Sequence, residues 1–226
     1  MTRTEKKTLL AIGLSAGLGA MFLLFNRSND GNPFEDFDMA GMLGVPRGGP
    51  WATSMPDAVV LHESVGWDIP GAIGAMRSGG YGVHWLIDGE GQLESMVERN
   101  RWAQHVEKAS QRAYGIEVIN PYQWTGKSWT ESLPNVLWPG HNYTLPTNLQ
   151  LMRLWDMLEN SGVRPVGTGW ERDMPAGPGI YAHAQLTKPG KHIDGVFPLL
   201  YLQARFAGKD HEAARAEAID RWKAKR

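Results

Sequence analysis

Runs of apolar residues with strand-like length alternate with turn-rich stretches over much of this chain. Ala58-Val-Val-Leu-His62 is β-branched and aliphatic, and reads as a buried strand that ends in a histidine. Further strands are expected near residues 83–88, 92–97 and 114–119, and a last one near 179–183. Between them the period changes. Residues 69–78 read as a short helix introduced by Pro70 in its first turn. Leu149, Met152, Leu154, Trp155 and Leu158 recur at helical spacing, with Thr147 as N-cap and Gly162 as the C-terminal stop. Leu199 to Phe206 suggests another helix, and His211 to Lys225 a charged, Ala-rich one. Strands and helices mixed within one domain imply an α/β fold, a central mixed β-sheet flanked by helices.

The N-terminal part follows different rules. Thr8 to Phe25 carries no charge and is mostly apolar. As a helix it would rise about 27 Å, close to a hydrocarbon core, so a transmembrane helix is expected over this run. Arg3, Lys6 and Lys7 precede it, against Glu5 alone, which places the N-terminus in the cytoplasm and the remainder outside. A cleaved signal peptide is the rival, with Gly17-Leu-Gly-Ala20 as its cleavage region, although Phe22-Leu-Leu-Phe25 extends the apolar run past it. Gly13-Leu-Ser15-Ala-Gly17 matches the pattern of a serine nucleophile elbow, but an elbow needs a strand-to-helix turn in a sheet, so that reading is rejected. Asn26 to about Pro56 is rich in Gly, Pro, Asn and Asp and reads as a linker. The expected organisation is an anchor or signal over 1–25, a linker over 26–56 and a catalytic domain over 57–226.

Composition narrows the function. The formal charge is −1, so nothing pulls the chain toward nucleic acid. There is no cysteine, which removes disulfides and thiolate ligands. His62 ends one strand and His183 another, and Asp194 follows beyond the Pro189-Gly190 turn. Two imidazoles and a carboxylate are a hydrolytic zinc set with one coordination position left for water. Against this, a single histidine near a strand is commonly a structural hydrogen-bonding residue.

The order of the motifs carries more. VVLHES, GVHWLIDGEG, RWAQH, YGIEVIN and AHAQLTKPGKHID occur in sequence between about residues 57 and 206. In this order they resemble the type 2 N-acetylmuramoyl-L-alanine amidases, zinc hydrolases sharing the peptidoglycan-recognition-protein fold. That family shows a strand ending in His, a strand like YHYLIDRDG, a Trp-His pair, IGIELVN, and a closing His with Asp or Cys about ten residues on. The resemblance implies Zn²⁺ held by His62, His183 and Asp194, with Glu117 as general base and Lys191 stabilising the oxyanion. It implies peptidoglycan as substrate, an extracytoplasmic domain and a role in wall lysis or penetration.

The chain also departs from the family pattern. Glu63 stands where a second His is common, and Val83 where Tyr often precedes His84, with Tyr81 two residues earlier. One extra residue in the last motif puts His192 at the family's lysine place. His192 therefore rivals Asp194 as ligand and Lys191 as oxyanion partner. His84 reads as structural or as orienting a ligand, and His105 as lining the substrate cleft. Trp124 and Trp129, in an aromatic insertion between Tyr122 and Tyr143, could line a glycan groove or hold down their own loop. Two other classes stay open: a non-catalytic peptidoglycan-binding module, and a membrane-anchored structural component of a virus particle.

Overall fold

The computed structural model describes residues 48–51, 56–64, 68–120, 132–137, 140–187 and 193–225. The chain divides into units 1–35 and 36–226, and every described residue belongs to the second. The run Thr8–Phe25 lies outside the described residues, among which no helix is long and apolar enough to cross a membrane.

The strands in chain order are β1 (Gly48–Pro50), β2 (Ala58–Glu63), β3 (Trp85–Ile87), β4 (Leu93–Ser95), β5 (Arg101–Ala103), β6 (Ala113–Val118), β7 (Ser132–Pro134), β8 (Asn142–Thr144) and β9 (Gly179–Ala182). The helices are α1 (Ile69–Gly79), α2 (Asn148–Leu158), α3 (His183–Leu186), α4 (Val196–Phe206) and α5 (His211–Lys223), with a 3₁₀ turn over Glu107–Gln111. The central sheet has the order β4-β3-β6-β2-β9. β2 runs parallel to both β6 and β9, β3 is parallel to β6, and only β4, at the edge, is antiparallel. This is the expected mixed α/β sheet.

Parallel strands covered on both faces should be apolar at every position, and β2 is buried throughout. Ala58 and Val60 point to one face and pack with Ala113, Tyr181, Val106 and Ala109. Leu86 lies in a second cluster with Ala72 and Met76 of α1. Val59, Leu61, Ile116 and Val118, of the opposite parity, are buried as well. α4 packs on β2 and β9, and α2 on β3.

The helix ends obey local chemistry. Asp68 caps α1 by accepting from Gly71 N at 2.7 Å, and Gly80 closes it in the left-handed region at φ 71°. Thr147 caps α2 in a reciprocal box with Gln150. Gln150 reaches further: its Nε2 donates to Ile87 O and Ile119 O, tying the ends of β3 and β6 to the helix. α2 stops at Leu158, earlier than the Gly162 expected to end it.

The expected linker needs correction at its end. Residues 48–50 form β1, antiparallel to β5. Trp51 then stacks on His84 with ring centroids 5.6 Å apart and donates from Nε1 to Arg99 O. One half-buried indole and three ladder positions draw this Gly-rich stretch into the domain, and its composition gave no sign of that.

Candidate active site

The site lies at the C-terminal ends of the parallel strands. His62 is directly opposite Glu117 in the β2–β6 register, so the two side chains leave the same face of the sheet. His183 follows the last residue of β9, one step beyond the pairing of Ala182 with Leu61. Asp194 arrives from a turn just before α4. His62, His183 and Asp194 each offer one ligand atom, and these atoms lie within 4.8 Å of one another.

Asp194 is held by both of its oxygens. Oδ1 accepts from the backbone N of Glu63 at 2.5 Å, and Oδ2 faces His183 Nδ1 at 2.7 Å and His62 Nδ1 at 3.7 Å. Burial alone would raise its pKa. The hydrogen bonds and charge of His183 and His62 outweigh that and hold the carboxyl below its ordinary range. Gly195, at φ 77°, makes the turn possible. A Cβ there would lie 2.1 Å from Leu61 O and 3.2 Å from the Ala182 Cα. Gly195→Ala should therefore cost at least about 1–3 kcal/mol from the backbone conformation, with the collision in addition. Denaturant unfolding of the metal-free protein checks this; a wild-type midpoint would show that the turn relaxes freely.

Glu117 is buried, with its pKa pushed well up by desolvation first and then by the charges of Asp194 and Glu63. Among the described residues its carboxylate has no hydrogen-bond partner. Glu63, on the opposite face, is the reverse case. Oε1 accepts from Asn120 Nδ2 at 3.0 Å and meets the Tyr143 hydroxyl, and Oε2 accepts from Gly195 N at 3.0 Å. Desolvation still pushes it up to about 8, against the hydrogen bonds of Tyr143 and Asn120. The sequence marked Glu63 only as a departure. In the structure it ties β2 to the turn that carries Asp194 and, through Tyr143, to β8. Tyr143 in turn stacks on Trp222 of α5 at 4.1 Å.

The two remaining histidines near the site part ways. His84 takes the structural one of its two expected roles: its Nδ1 accepts from Gly115 N at 3.0 Å and its Nε2 donates to Arg101 O at 2.9 Å. Burial pushes its pKa down to about 4, so it is a neutral brace between β5 and β6. His105 was expected to line the cleft and touch substrate. It is buried instead behind His62, with both ring nitrogens engaged. The rim of the site holds a residue seen in the sequence only as displaced. Tyr81 is 41% exposed, and after its own partial burial the charges of Glu117 and Asp194 raise its pKa. Lys191, His192, Trp124 and Trp129 lie outside the described residues.

This donor set suits zinc, with two imidazole nitrogens and one carboxylate oxygen at a strand edge. Ligands of a tetrahedral zinc stand about 3.3 Å apart. The 2.7 and 3.7 Å separations at Asp194 Oδ2 bracket that value. With this geometry in hand, comparison with known families is decisive: the family model described as N-acetylmuramoyl-L-alanine amidase matches residues 52–191. The chain belongs to that family. It is an amidase of peptidoglycan. The matched segment contains His62, Glu117 and His183 but stops short of Asp194, so the third member of the cluster rests on the fold.

A comparison with curated proteins finds no match. Among solved structures, the amidase is similar to N-acetylmuramoyl-L-alanine amidase LysC from Clostridium intestinale URNW. Identity is 17%, coverage 70% of this chain and 93% of that one, and the TM-score 0.44. It is similar also to the endolysin amidase LysCS from the same organism, at 18% identity, 63% and 83% coverage and TM-score 0.37. A third is the hydrolase AmiA from Staphylococcus aureus in complex with its ligand, at 11% identity, 84% and 78% coverage and TM-score 0.40. The family match, and not these likenesses, carries the assignment.

Proposed function

We propose that this amidase is zinc-dependent and cleaves the amide between the lactyl group of N-acetylmuramate and L-alanine. The observation that carries this is the convergence of His62, His183 and Asp194 beside a buried carboxylate, Glu117, on the same sheet face as His62. When bound, zinc supplies a Lewis acid for the scissile carbonyl and brings the pKa of water to about 7. Glu117 shares a face with His62 and serves as general base, taking the proton of the attacking water and returning it to the departing amine. Its elevated pKa suits both directions of that transfer. Tyr81, at the rim, orients the carbonyl side of the substrate. Lys191 or His192 completes the oxyanion environment, and Trp124 and Trp129 stack on glycan faces.

The same reading gives the chain a role in wall lysis or penetration, with Thr8–Phe25 holding the domain (57–226 plus the β1 segment) outside the cytoplasmic membrane. A permanent tether and a cleaved signal are told apart by N-terminal sequencing of the mature protein. A start near Ala20 or Met21 would establish the signal peptide. A membrane-anchored component of a virus particle would share the same N-terminal run, and fractionation between lysing envelopes and particles separates the two. A non-catalytic binding module is disfavoured, because receptors of this type typically lose a ligand and this chain keeps the full set.

Digestion of purified peptidoglycan, with and without a chelator, tests the chemistry. New L-alanine amino groups should appear without chelator, and the rate should fall to background with it and return when zinc is added back. Reducing sugar ends in place of amines would refute amide cleavage. Amine release indifferent to chelator would refute the metal.

A further inference from the structure

The hydrogen bonds behind His62 have a direction, and that direction decides which of its nitrogens faces the cluster. His105 Nε2 lies 3.0 Å from the carbonyl oxygen of Ala113. A carbonyl only accepts, so Nε2 carries the proton. The other nitrogen of His105, Nδ1, then has a lone pair and accepts. It lies 3.0 Å from His62 Nε2. His62 Nε2 must therefore donate, so the nitrogen away from the site is protonated whether or not Nδ1 also carries a proton toward Asp194 in the metal-free protein. The remaining nitrogen, Nδ1, is the one 3.7 Å from Asp194 Oδ2. The reverse arrangement would need His105 to donate from Nδ1 and to turn a bare Nε2 on a carbonyl, setting two acceptors against each other. A doubly protonated His105 would satisfy both bonds only as a cation buried between His62 and His84, with ring centroids at 5.1 and 6.1 Å.

The surroundings of His105 are built around this pose. Its backbone N and that of Val106 donate to Ser110 Oγ at 2.9 and 2.7 Å, which pins the loop entering the 3₁₀ turn. Its ring lies flat on β6 at Gly115, where a Cβ would come within 3.0 Å of Cγ and 3.1 Å of Nδ1. Gly115 is thus the strand residue that leaves room for the imidazole.

We propose that His105 is a positioning residue that fixes the tautomer of His62, so that His62 presents Nδ1, and not Nε2, to the metal. It rests on the zinc reading for the identity of what His62 holds, but the tautomer belongs to the protein alone. A ligand imidazole usually passes its second N–H to a carboxylate, a carbonyl or water. Here a second imidazole is interposed, and the backbone of Ala113 sets the orientation of both.

Nitrogen-15 NMR of the full-length protein reads this without an activity assay. In the metal-free protein His62 Nε2 should carry a proton, with a coupling across the hydrogen bond to His105 Nδ1. In the zinc-loaded protein the metal-shifted nitrogen should be Nδ1. A bare Nε2 in the first sample, or metal on Nε2 in the second, would overturn the proposal. A protein that binds no zinc would sink the metal reading, and the metal-free spectrum would still decide the tautomer. Two variants separate positioning from packing. His105→Gln keeps an acceptor and a donor, whereas His105→Phe keeps the bulk and loses both. Zinc affinity should drop ~10–100-fold in His105→Phe and remain within a few-fold of wild type in His105→Gln. Equal losses in the two would reduce His105 to a space-filler and overturn the proposal. Should His105→Phe fail to fold, the wild-type spectra carry the test.

Discussion

Glu117→Gln should bind zinc as wild type does, unfold no earlier, and lose ~10²–10⁴-fold in rate. The substitution keeps the shape of the side chain and removes its ability to take a proton. Stability should move the other way from activity. Desolvation, and then Asp194 and Glu63, raise the folded pKa of Glu117 above its unfolded value. A carboxyl perturbed in that direction opposes folding at every pH above the unfolded value. At neutral pH a neutral amide in its place should leave the metal-free protein as stable as wild type or more so. Rates come from amine release on peptidoglycan, and midpoints from denaturant titration of metal-free protein. A rate within a few-fold of wild type would assign the base to another group.

Asp194→Ala should lose zinc affinity by more than the ~10–100-fold typical of removing a ligand's supporting partner, and amidase activity with it. His192→Ala should keep its zinc. The contrast follows from the two oxygens of Asp194, one fixed by the Glu63 backbone and the other turned to both histidines. Metal analysis of the two purified variants decides between them. Zinc lost only from His192→Ala would transfer the ligand role to that residue.

The elements were legible wherever one physical signal dominated. β2, β6 and β9 announce themselves as apolar runs because both of their faces are covered. α1 and α2 carry their own start signals in Pro70 and Thr147, and the structure adds the Asp68 cap. The pairs β1–β5 and β7–β8 were not legible as ladders. β1 and β5 are brought together from distant segments, and β7 and β8, though near in the chain, lie in a stretch with no alternating apolar pattern. At the site, residue type and order singled out His62, Glu117 and His183, and left the third ligand between Asp194 and His192. They could not sort the other histidines. His84 and His105 look alike in sequence, and only hydrogen-bond geometry shows that one braces backbone and the other backs His62. Glu63 was opaque for a similar reason. Its importance comes from Asn120, Tyr143 and Gly195, which are adjacent to it only in space.

The strand order has a consequence for how this enzyme comes into being. β2 sits between β6 and β9, so the site takes Glu117 from one flank of that strand and His183 from beyond the other, and the last member of the cluster, Asp194, follows the last strand. A nascent chain already carries His62 and Glu117 while β9 is still unmade. Until residues near 195 leave the ribosome and the late strand docks, no fragment holds all three groups together. The cluster is thus the last part of the enzyme to be completed, by topology alone. Long-range parallel pairing of this kind is also slow to form, which lengthens the interval between translation and competence.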